Sequence, residues 1–305
     1  MRIFLTGCSS SLANAVLPML CASSEVTQVV GIDRRPCHFE DKKFSASQMD
    51  IHSPELPAAM AGADAVVHLA FGVMRGEMSE TEQAHNNVAG TLKVFDDAAR
   101  GGIRKVVNLS SVSVYGAGSG LDESAPLRPA VNFNYARHKA EIERAAAGRH
   151  PHVIHLRSHL IFGRQCRAFL KAMVNARFFI APPAPYPILQ IVHEDDVARA
   201  VMLALTRDVR GPFNLAAPEV TSIPELVKSR RRHAWPLPLS WVRAAVSLAR
   251  RWGNRDEFTW LDVFDTTLTV RCDKANRELG WYPLYSAWQA VEDTSEKRSG
   301  SANVR

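Results

Sequence analysis

The sequence predicts an α/β fold in which a doubly wound parallel sheet is followed by a smaller C-terminal domain. Two observations lead to this prediction. Short β-rich runs alternate with helical patterns up to about residue 157, and after Gly163 this rhythm gives way to proline-rich loops. Because parallel strands need crossover connections, such alternation places helices on both faces of one sheet. The predicted architecture is therefore Rossmann-like.

The individual elements follow from the residue pattern. Clusters of β-branched and aliphatic residues predict strands at Arg2–Thr6, Thr27–Asp33, Ala65–Ala70, Lys105–Ser110 and Val153–Arg157. Apolar spacing and a high Ala, Glu and Lys content predict helices over Glu80–Arg100 and Tyr135–Ala147. Beyond Gly163, a helix is predicted near Asp195–Leu205 and a short strand at Phe213–Ala216.

These elements divide the chain into three predicted parts. The doubly wound domain covers residues 1–157, and a smaller domain, interleaved with the first, covers residues 158–291. Residues 292–305 contain almost no apolar side chain, so we expect a flexible tail there.

Length and composition exclude several classes of protein. The 305 residues are 46% hydrophobic and 22% charged, as in globular proteins and unlike disordered or collagen-like chains. The five cysteines are widely spaced without a CxxC pair, so we expect no disulfide framework and no zinc site, and a cytoplasmic location. The uncharged run over residues 3–24 is broken by Gly, Ser, Asn and Pro, so we expect neither a signal peptide nor a membrane span.

The net charge of +6 is concentrated in one segment. Residues 228–255 carry eight Lys or Arg and no carboxylate, interleaved with Trp235, Trp241 and Trp252. Such a segment could contact an anionic membrane surface or nucleic acid. We interpret it instead as a solvated helix face with core tryptophans. A membrane surface stays the alternative, and no nucleic-acid partner is expected.

The turn after the first predicted strand has the position of a phosphate-binding turn. In a doubly wound fold, backbone N–H groups and a helix N-terminus meet a dinucleotide there. Against the spacing GxxGxxG, the chain retains Gly7, while Ser10 and Ala13 replace the second and third glycines. Ser10 is the larger departure, because its side chain stands where the backbone approaches the phosphate most closely. An ordinary tight turn is the alternative interpretation.

An acid ends the second predicted strand. Asp33 lies 26 residues beyond Gly7, close to where a carboxylate is expected to bind the adenosine ribose. It would repel a 2′-phosphate, whereas the adjoining Arg34 and Arg35 could attract one. We therefore predict NAD as the cofactor, with NADP as the alternative. A simpler interpretation is that Asp33 only caps the loop after the strand.

A tyrosine and a lysine share one face of a predicted helix. Tyr135 and Lys139 are four residues apart, which corresponds to about one turn. A phenol is a poor base at neutral pH, but a nearby ammonium and an oxidised nicotinamide would lower its pKa. Ser111 follows a strand that precedes this helix, so its hydroxyl is expected at the carboxyl edge of the sheet. Such a pair can serve in proton transfer, but chance Tyr and Lys pairs are also common on exposed helices.

The order of short motifs resembles the extended short-chain dehydrogenases/reductases, also described as the NAD-dependent epimerase/dehydratase family. The motifs run through nearly the whole chain: Thr6-Gly7, Asp33, Asp50-Ile51, Asp64–Ala70, Asn87–Thr91, Ser110–Gly116, Tyr135–Lys139, Leu156–Gly163, Val192–Ala198 and Glu278–Trp281. This resemblance implies a dinucleotide-binding first domain and a substrate-binding second domain. It also implies a homodimer, formed through the helices that follow the fourth and fifth strands.

The resemblance further implies roles for individual residues. Ser111, Tyr135 and Lys139 would be catalytic: Tyr135 moves the hydroxyl proton, Ser111 orients the same oxygen, and Lys139 binds the nicotinamide ribose. The implied cofactor-binding residues are Gly7, Ser10, Ser11, Leu12, Asp33, Arg34, Asp50, Ile51, Leu69, Ala70, Tyr135 and Lys139. Tyr115 would line the pocket. His68 and His193 match motif positions, and no metal site is expected.

Together these residues predict an NAD(P)-dependent oxidoreductase that moves a hydride at a secondary alcohol or ketone. The alternatives are a nucleotide-sugar epimerase and a non-catalytic, cofactor-binding subunit. A dehydratase is least expected, because Val112 and Ser113 occupy the places of its additional acid/base pair. Leu160 and Leu189 stand where nucleotide-sugar relatives carry an Asn and an Arg that hold the sugar and diphosphate. Since a desolvated diphosphate needs paired donors, we expect a less polar small-molecule substrate.

Overall fold

Strands and helices alternate through most of the chain. The computed structural model describes residues 1–73, 78–175, 178–181, 185–229, 233–236 and 266–295. Its strands are β1 (Arg2–Thr6), β2 (Gln28–Asp33), β3 (Phe44–Gln48), β4 (Ala65–His68), β5 (Lys105–Ser111), β6 (Gly118–Leu121), β7 (Ile154–Ser158), β8 (Leu160–Phe162), β9 (Phe178–Ala181), β10 (Ile191–His193), β11 (Gly211–Leu215), β12 (His233–Pro236) and β13 (Leu268–Val270). Its α-helices are α1 (Ala13–Ala22), α2 (Leu56–Met60), α3 (Glu80–Ala84), α4 (Gly90–Arg100), α5 (Asn134–Arg149), α6 (Ala168–Asn175), α7 (Glu194–Thr206), α8 (Ile223–Ser229) and α9 (Ala287–Glu292).

Within the described residues, seven of these strands form one parallel sheet in the order β11-β7-β5-β4-β1-β2-β3. The strand order reverses at β1, which pairs with β2 on one side and with β4 on the other. In an open parallel sheet, a crevice forms at such a reversal, beyond the carboxyl ends of the strands. The predicted Rossmann-like fold is confirmed, and the sheet topology fixes where a ligand is expected.

Side chains of β1 alternate between two apolar cores, one on each face of the sheet. Ile3 and Leu5 pack with residues of α1 and α7, whereas Phe4 packs with residues of α2, α4 and α5. All three side chains are fully buried. Burying an aliphatic or aromatic side chain of this size stabilises the fold by about 1.5–3 kcal/mol. The two cores hold β1 rigidly, and with it the turn that follows.

Most predicted elements are confirmed to within two residues, with three differences. The edge strand β3 was not among the predicted runs, because its residues FSASQ are mostly exposed and lack an apolar pattern. The predicted helix over residues 80–100 contains a π-helical turn, His85–Ala89, between α3 and α4. The strand predicted at Phe213–Ala216 is β11, which pairs with β7 in the central sheet. A boundary at residue 157 stays a prediction, and it has to allow for this return to the first sheet.

The chain is still ordered at the predicted start of the flexible tail, residue 292. Glu292 ends α9, and a 3₁₀ turn continues through Asp293–Ser295. Asp293 pairs with Arg164 at 3.3 Å, and Thr294 is fully buried, its hydroxyl bonded to the Val291 carbonyl. These contacts order the first four residues of the predicted tail, 292–295. Residues 296–305 lie outside the described part.

Three short strand pairs lie outside the central sheet among the described residues. They join β8 with β10, β9 with β12, and β6 with β13. Within the basic segment over residues 228–255, the structure describes the end of α8 and the strand β12, where a helix face was predicted. The rest of the segment lies outside the described residues, so its interpretation stays a prediction. Among the described residues, none of the helices has the length and apolarity that a membrane crossing requires.

Candidate active site

Two adjoining clefts open at the carboxyl edge of the sheet. The first, called here the polar cleft, is lined by residues that follow β1, β2, β3 and β4, including Gly7, Asp33, Arg34, Asp50, Ile51, Leu69 and Ala70. The second, called the apolar cleft, is lined by Ser111 and Tyr135 together with Leu109, Phe133, Leu160, Ile161, Phe169 and Leu189. The structure thus brings most of the predicted cofactor residues to one cleft and two of the predicted catalytic residues to the other.

The first turn requires a glycine at Gly7. This residue has φ +77°, and a Cβ placed on it would lie 2.5 Å from the Ala70 nitrogen. Three residues on, the Ser10 hydroxyl oxygen accepts a hydrogen bond from the Ala13 amide at 3.3 Å. The Ser11 and Leu12 amides, just before α1, donate to no acceptor among the described residues. Two backbone donors therefore remain at a helix N-terminus, an arrangement that suits an anion.

Asp33 caps the loop after β2 and also faces the polar cleft. One carboxylate oxygen accepts the Ser9 amide at 3.1 Å, and the other accepts the Arg35 amide at 3.0 Å. Since each carboxylate oxygen has two acceptor sites, both can still accept a ligand hydroxyl. The capping and ligand-binding interpretations of this residue are therefore compatible.

The two arginines after Asp33 are directed toward protein groups. The Arg34 Nε lies 3.8 Å from the Asp50 carboxylate. The Arg35 Nη2 donates to the Ser9 carbonyl at 3.0 Å, and its Nε lies 3.7 Å from Asp33. Both side chains are largely exposed, so these pairs contribute little to stability. Both guanidinium groups nevertheless point toward acids of the polar cleft.

Ser111 and Tyr135 are hydrogen-bonded to each other. Ser111 ends β5, and its oxygen accepts from both the amide (3.2 Å) and the hydroxyl (3.0 Å) of Ser113. Its own O–H is therefore available to donate to Tyr135. Burial raises the pKa of Tyr135, while the charge of Arg167 and the Ser111 hydrogen bond oppose that rise. The phenol is thus held beside a donor on the wall of the apolar cleft.

Lys139 lies beneath this pair, away from both clefts. Its ammonium donates to the Leu109 carbonyl at 2.6 Å and lies 3.6 Å from the ring centre of Phe71. Burial lowers the pKa of Lys139 to about 7, and nearby Arg167 adds to this effect. Its distance to the Tyr135 ring centre is 6.0 Å. Sequence reasoning had assigned the charge beside Tyr135 to Lys139, whereas the cation that opposes the raised pKa of Tyr135 is Arg167.

Tyr115 does not line either cleft, contrary to what the resemblance implied. Its side chain is buried, its hydroxyl donates to the Asn214 side chain at 2.8 Å, and it accepts from Arg157 at 2.5 Å. Arg157 in turn forms a buried ion pair with Glu143, whose oxygen also accepts from Ser110. The Tyr115 phenol accepts a hydrogen bond from this buried arginine, and this contact explains why the Tyr115 side chain points inward.

The two histidines at motif positions have hydrogen-bonding partners in the protein. The His68 ring lies between the hydroxyls of Thr6 (2.7 Å) and Thr91 (3.0 Å), and burial lowers its pKa to about 3. The His193 Nδ1 accepts the Asp195 amide at 3.0 Å, and its Nε2 lies 3.1 Å from Asp293. Both rings fix the ends of secondary-structure elements.

Glu194 and Arg167 are cleft residues that sequence reasoning missed. Glu194 lines the apolar cleft and accepts the Gln165 amide with both oxygens, at 3.0 and 2.9 Å. Burial raises its pKa to about 7. Arg167 precedes α6 and lines both clefts. Glu194 lies within the motif Val192–Ala198 but was assigned no role there, and no local pattern marks Arg167. The placement of both residues depends on how the chain after Gly163 folds over the sheet.

Comparison with known proteins agrees with this architecture. The profile described as "NAD dependent epimerase/dehydratase family" matches residues 3–216, which is more than half of the chain. The chain belongs to this family. Members of the NAD-dependent epimerase/dehydratase family are enzymes, and the matched region contains every predicted catalytic and cofactor-binding residue.

Individual relatives are distant. The chain is 26% identical over 257 residues to an uncharacterized protein, y4nG, of Sinorhizobium fredii, covering 77% of this chain and 63% of that protein, less than two thirds of its length. An uncharacterized protein, Mb0513, of Mycobacterium bovis is 24% identical, covering 95% and 82%.

Two solved structures share the fold. MoeE5, in complex with UDP-glucuronic acid and NAD, has a TM-score of 0.76 and 21% identity, covering 96% of this chain and 97% of that one. A UDP-glucose 4-epimerase of Thermotoga maritima with UDP-glucose has a TM-score of 0.75 and 17% identity, with the same coverage. At these identities the likeness concerns the fold alone.

Proposed function

We propose that this chain is an NAD-dependent oxidoreductase that interconverts a secondary alcohol and a ketone in the apolar cleft. The observation that carries the proposal is the hydrogen-bonded pair Ser111 and Tyr135 on a cleft wall that adjoins the polar cleft. In this mechanism Tyr135 moves the proton of the substrate hydroxyl, and Ser111 holds the same oxygen. A bound nicotinamide supplies the hydride acceptor or donor.

The polar cleft fits a dinucleotide. It encloses about 1330 Å³, including space open to solvent, and it is lined by Gly7, Ser10 and Ser11 of the first turn, where the amides of Ser11 and the adjoining Leu12 are unengaged by the described residues. These amides would hold a diphosphate, and Asp33 would accept the adenosine ribose hydroxyls. Because Arg34 and Arg35 are turned toward acids, the cleft favours NAD over NADP.

Lys139 holds the nicotinamide ribose in this proposal, which requires a local rearrangement. Its ammonium is covered by the Phe71 ring, and Phe71 itself lines the polar cleft. The ring therefore has to move off Lys139 when the dinucleotide enters.

The lining of the apolar cleft supports a substrate of low polarity. Leu160 and Leu189, the two leucines that replace polar anchors of nucleotide-sugar enzymes, both line it. Where a diphosphate lay against these two leucines, it would lose hydration without gaining donors from them, at a cost of several kcal/mol. A secondary alcohol or ketone with an apolar body avoids this cost.

A nucleotide-sugar epimerase is the second candidate, because solved structures of this fold are titled as complexes with UDP-glucuronic acid or UDP-glucose. In that case, positive charge for the diphosphate would come from Arg167, which lines the apolar cleft, or from Arg230–Arg232 or Arg243, which lie outside the described residues. A homodimer in the cytoplasm is part of the first proposal, and sedimentation equilibrium tests its stoichiometry.

The decisive experiment combines binding and turnover. We expect NADH to bind with a change in its fluorescence, turnover of ketones that rises with apolar chain length, and no heat from UDP or dTDP injected into the cofactor-loaded protein. Micromolar binding of either nucleotide would overturn the substrate proposal in favour of the epimerase. Binding of NADH without turnover of any alcohol, ketone or nucleotide sugar would point to a non-catalytic subunit.

A further inference from the structure

One cation stands where the two clefts meet. Four described residues line both clefts: Ser10, Ser11, Leu69 and Arg167. Of these four, Arg167 alone carries a charge. Ser10 and Ser11 belong to the first turn, whereas Arg167 comes from the segment after Gly163. Arg167 therefore lines the same clefts as the first turn, but it comes from a different part of the chain.

Arg167 has no carboxylate partner among the described residues, which distinguishes it from the other arginine of its loop. Arg164 pairs with Asp195 at 2.7 Å and with Asp293 at 3.3 Å. Around Arg167, the groups that influence its charge are the phenol of Tyr135 and the like-charged Arg35. Although the side chain is exposed to the cleft, its walls desolvate the guanidinium and lower its pKa, and Arg35 adds to that effect. A cation in this setting is stabilised by an anion that enters the cleft.

We propose that Arg167 binds the diphosphate of the dinucleotide. This contact would link the segment after Gly163, which helps to line the apolar cleft, to the bound cofactor. The proposal rests on the proposed function only in taking NAD as the ligand of the polar cleft. A guanidinium offers parallel donors that match a phosphate, and charge-assisted bonds of this kind are roughly twice as strong as neutral ones.

The position of the diphosphate supports this ligand over other oxyanions. In this architecture a diphosphate lies against the first turn and the start of the following helix. There, the Ser11 and Leu12 amides are unengaged by the described residues, and Arg167 lines the same cleft as Ser11. Arg167 also offers a reason why the turn tolerates Ser10 in place of a glycine: a second element supplies donors to the phosphates. The other source of an oxyanion is a carboxylate or phosphate on the substrate, in the apolar cleft.

Arg167→Gln and Arg167→Lys test the proposal, with Arg164→Gln as the matched control from the same loop. Calorimetry compares four ligands of the full-length protein: adenosine, AMP, ADP-ribose and NADH. We expect Arg167→Gln to lower the affinity for ADP-ribose and NADH by about ten- to hundredfold, the loss typical of a hydrogen bond to a charged group. The affinity of Arg167→Lys should lie between those of Arg167→Gln and the unmodified protein. The affinity of the Arg167 variants for adenosine should change less than twofold. Arg164→Gln should bind all four ligands as the unmodified protein does. Thermal unfolding checks that each variant is folded.

Two results would overturn the inference, and they separate it from the proposed function. If the unmodified protein binds NADH and Arg167→Gln binds NADH and ADP-ribose equally well, the inference fails while the proposed function stands. A rise in the substrate KM alone would then assign Arg167 to a substrate anion. If the unmodified protein binds none of the dinucleotides, the proposed function and the inference fail together.

Discussion

The polar and apolar clefts share a wall, yet they treat charged groups in opposite ways. In the polar cleft each acid lies within 4 Å of an arginine: Asp33 near Arg35 and Asp50 near Arg34, at 3.7 and 3.8 Å. In the apolar cleft, Glu194 is only 2% exposed, and burial raises its pKa to about 7. The first cleft is therefore suited to a charged ligand, and the second penalises charge. Substitutions that alter one cleft and leave the other unchanged test whether the two clefts differ in this way.

The largest effect is expected from Tyr135→Phe. The ring keeps its contacts with Phe71 and Phe133, both at 5.4 Å between ring centres, but the proton donor is lost. Turnover should fall by about 10²–10⁴-fold, the usual contribution of a positioned acid or base. Cofactor affinity should stay within a few-fold, since the polar cleft is untouched.

Steady-state rates and NADH titrations measure both quantities. The exposed Tyr282→Phe serves as control and should leave both unchanged. Full activity of Tyr135→Phe on a true substrate would remove Tyr135 from the mechanism. An equal loss of cofactor affinity and rate would mean that the clefts are not separable.

A second prediction concerns the buried acid of the apolar cleft. The pKa of Glu194 is about 7 in the folded protein, above its ordinary value of 4.5. Below pH 4.5 both the folded and unfolded states are protonated, so there is no penalty. Between pH 4.5 and 7 only the unfolded state loses its proton, and stability falls as pH rises; above pH 7 the penalty is constant at about 3 kcal/mol.

Glu194→Gln removes this penalty and keeps an acceptor for the Gln165 amide. Urea unfolding at pH 5 and pH 8 should show the variant gaining roughly 2–3 kcal/mol relative to the unmodified protein over that interval. The exposed Glu55→Gln corrects for the general loss of an acid. A stability difference that is independent of pH would show that Glu194 is hydrated and that the second cleft tolerates charge.

The two clefts also differ in how far the sequence predicts them. Gly7, Asp33 and Asp50 could be assigned to one edge because they follow parallel strands, and β1 and β2 show themselves as apolar runs. The strand before Asp50 was less apparent, since β3 is an exposed edge with no apolar alternation. The local sequence pattern is thus sufficient to place a site residue when its position follows directly from the strand before it.

Tertiary contacts decide what the sequence could not predict in the apolar cleft. Tyr135 and Ser111 were found through their spacing and strand position. The covering of Lys139 by Phe71 depends on the packing of α5 against the end of β4, which leaves no periodic signal. Arg164 and Arg167 lie in one loop and have similar neighbours in sequence. Arg164 pairs with two acids, whereas Arg167 lines both clefts.

A third prediction tests the charge pattern of the polar cleft. Asp33→Asn keeps an oxygen that can accept one backbone amide but removes the negative charge that would repel a 2′-phosphate. We expect the unmodified protein to bind NADH more tightly than NADPH, and the ratio of the two dissociation constants to narrow by about tenfold in the variant, close to one charged hydrogen bond.

Fluorescence titration with both nucleotides measures this ratio. Asp64→Asn, at the opposite edge of the sheet, is the matched control, because Asp64 accepts the Arg2 amide and lines neither cleft. Equal affinities for NADH and NADPH in the unmodified protein would contradict the prediction and indicate that Arg34 or Arg35 outweighs Asp33.

The smallest effect is expected at Ser10, the residue of the first turn that departs from glycine and lines both clefts. Its oxygen accepts the Ala13 amide, so its hydroxyl proton is left to donate into the cleft, where the diphosphate of a dinucleotide would lie. Ser10→Gly removes this donor and also the bulk that a glycine would not have, and the two changes oppose each other. We expect the loss of the donor to prevail, because it is a hydrogen bond to a charged group, and NADH to bind about threefold more weakly. Ser10→Ala, which removes the donor and keeps most of the bulk, should bind more weakly than Ser10→Gly. Tighter binding of NADH by Ser10→Gly would show that the side chain obstructs the phosphates, and that the polar cleft holds its ligand through Arg167 and the backbone amides alone.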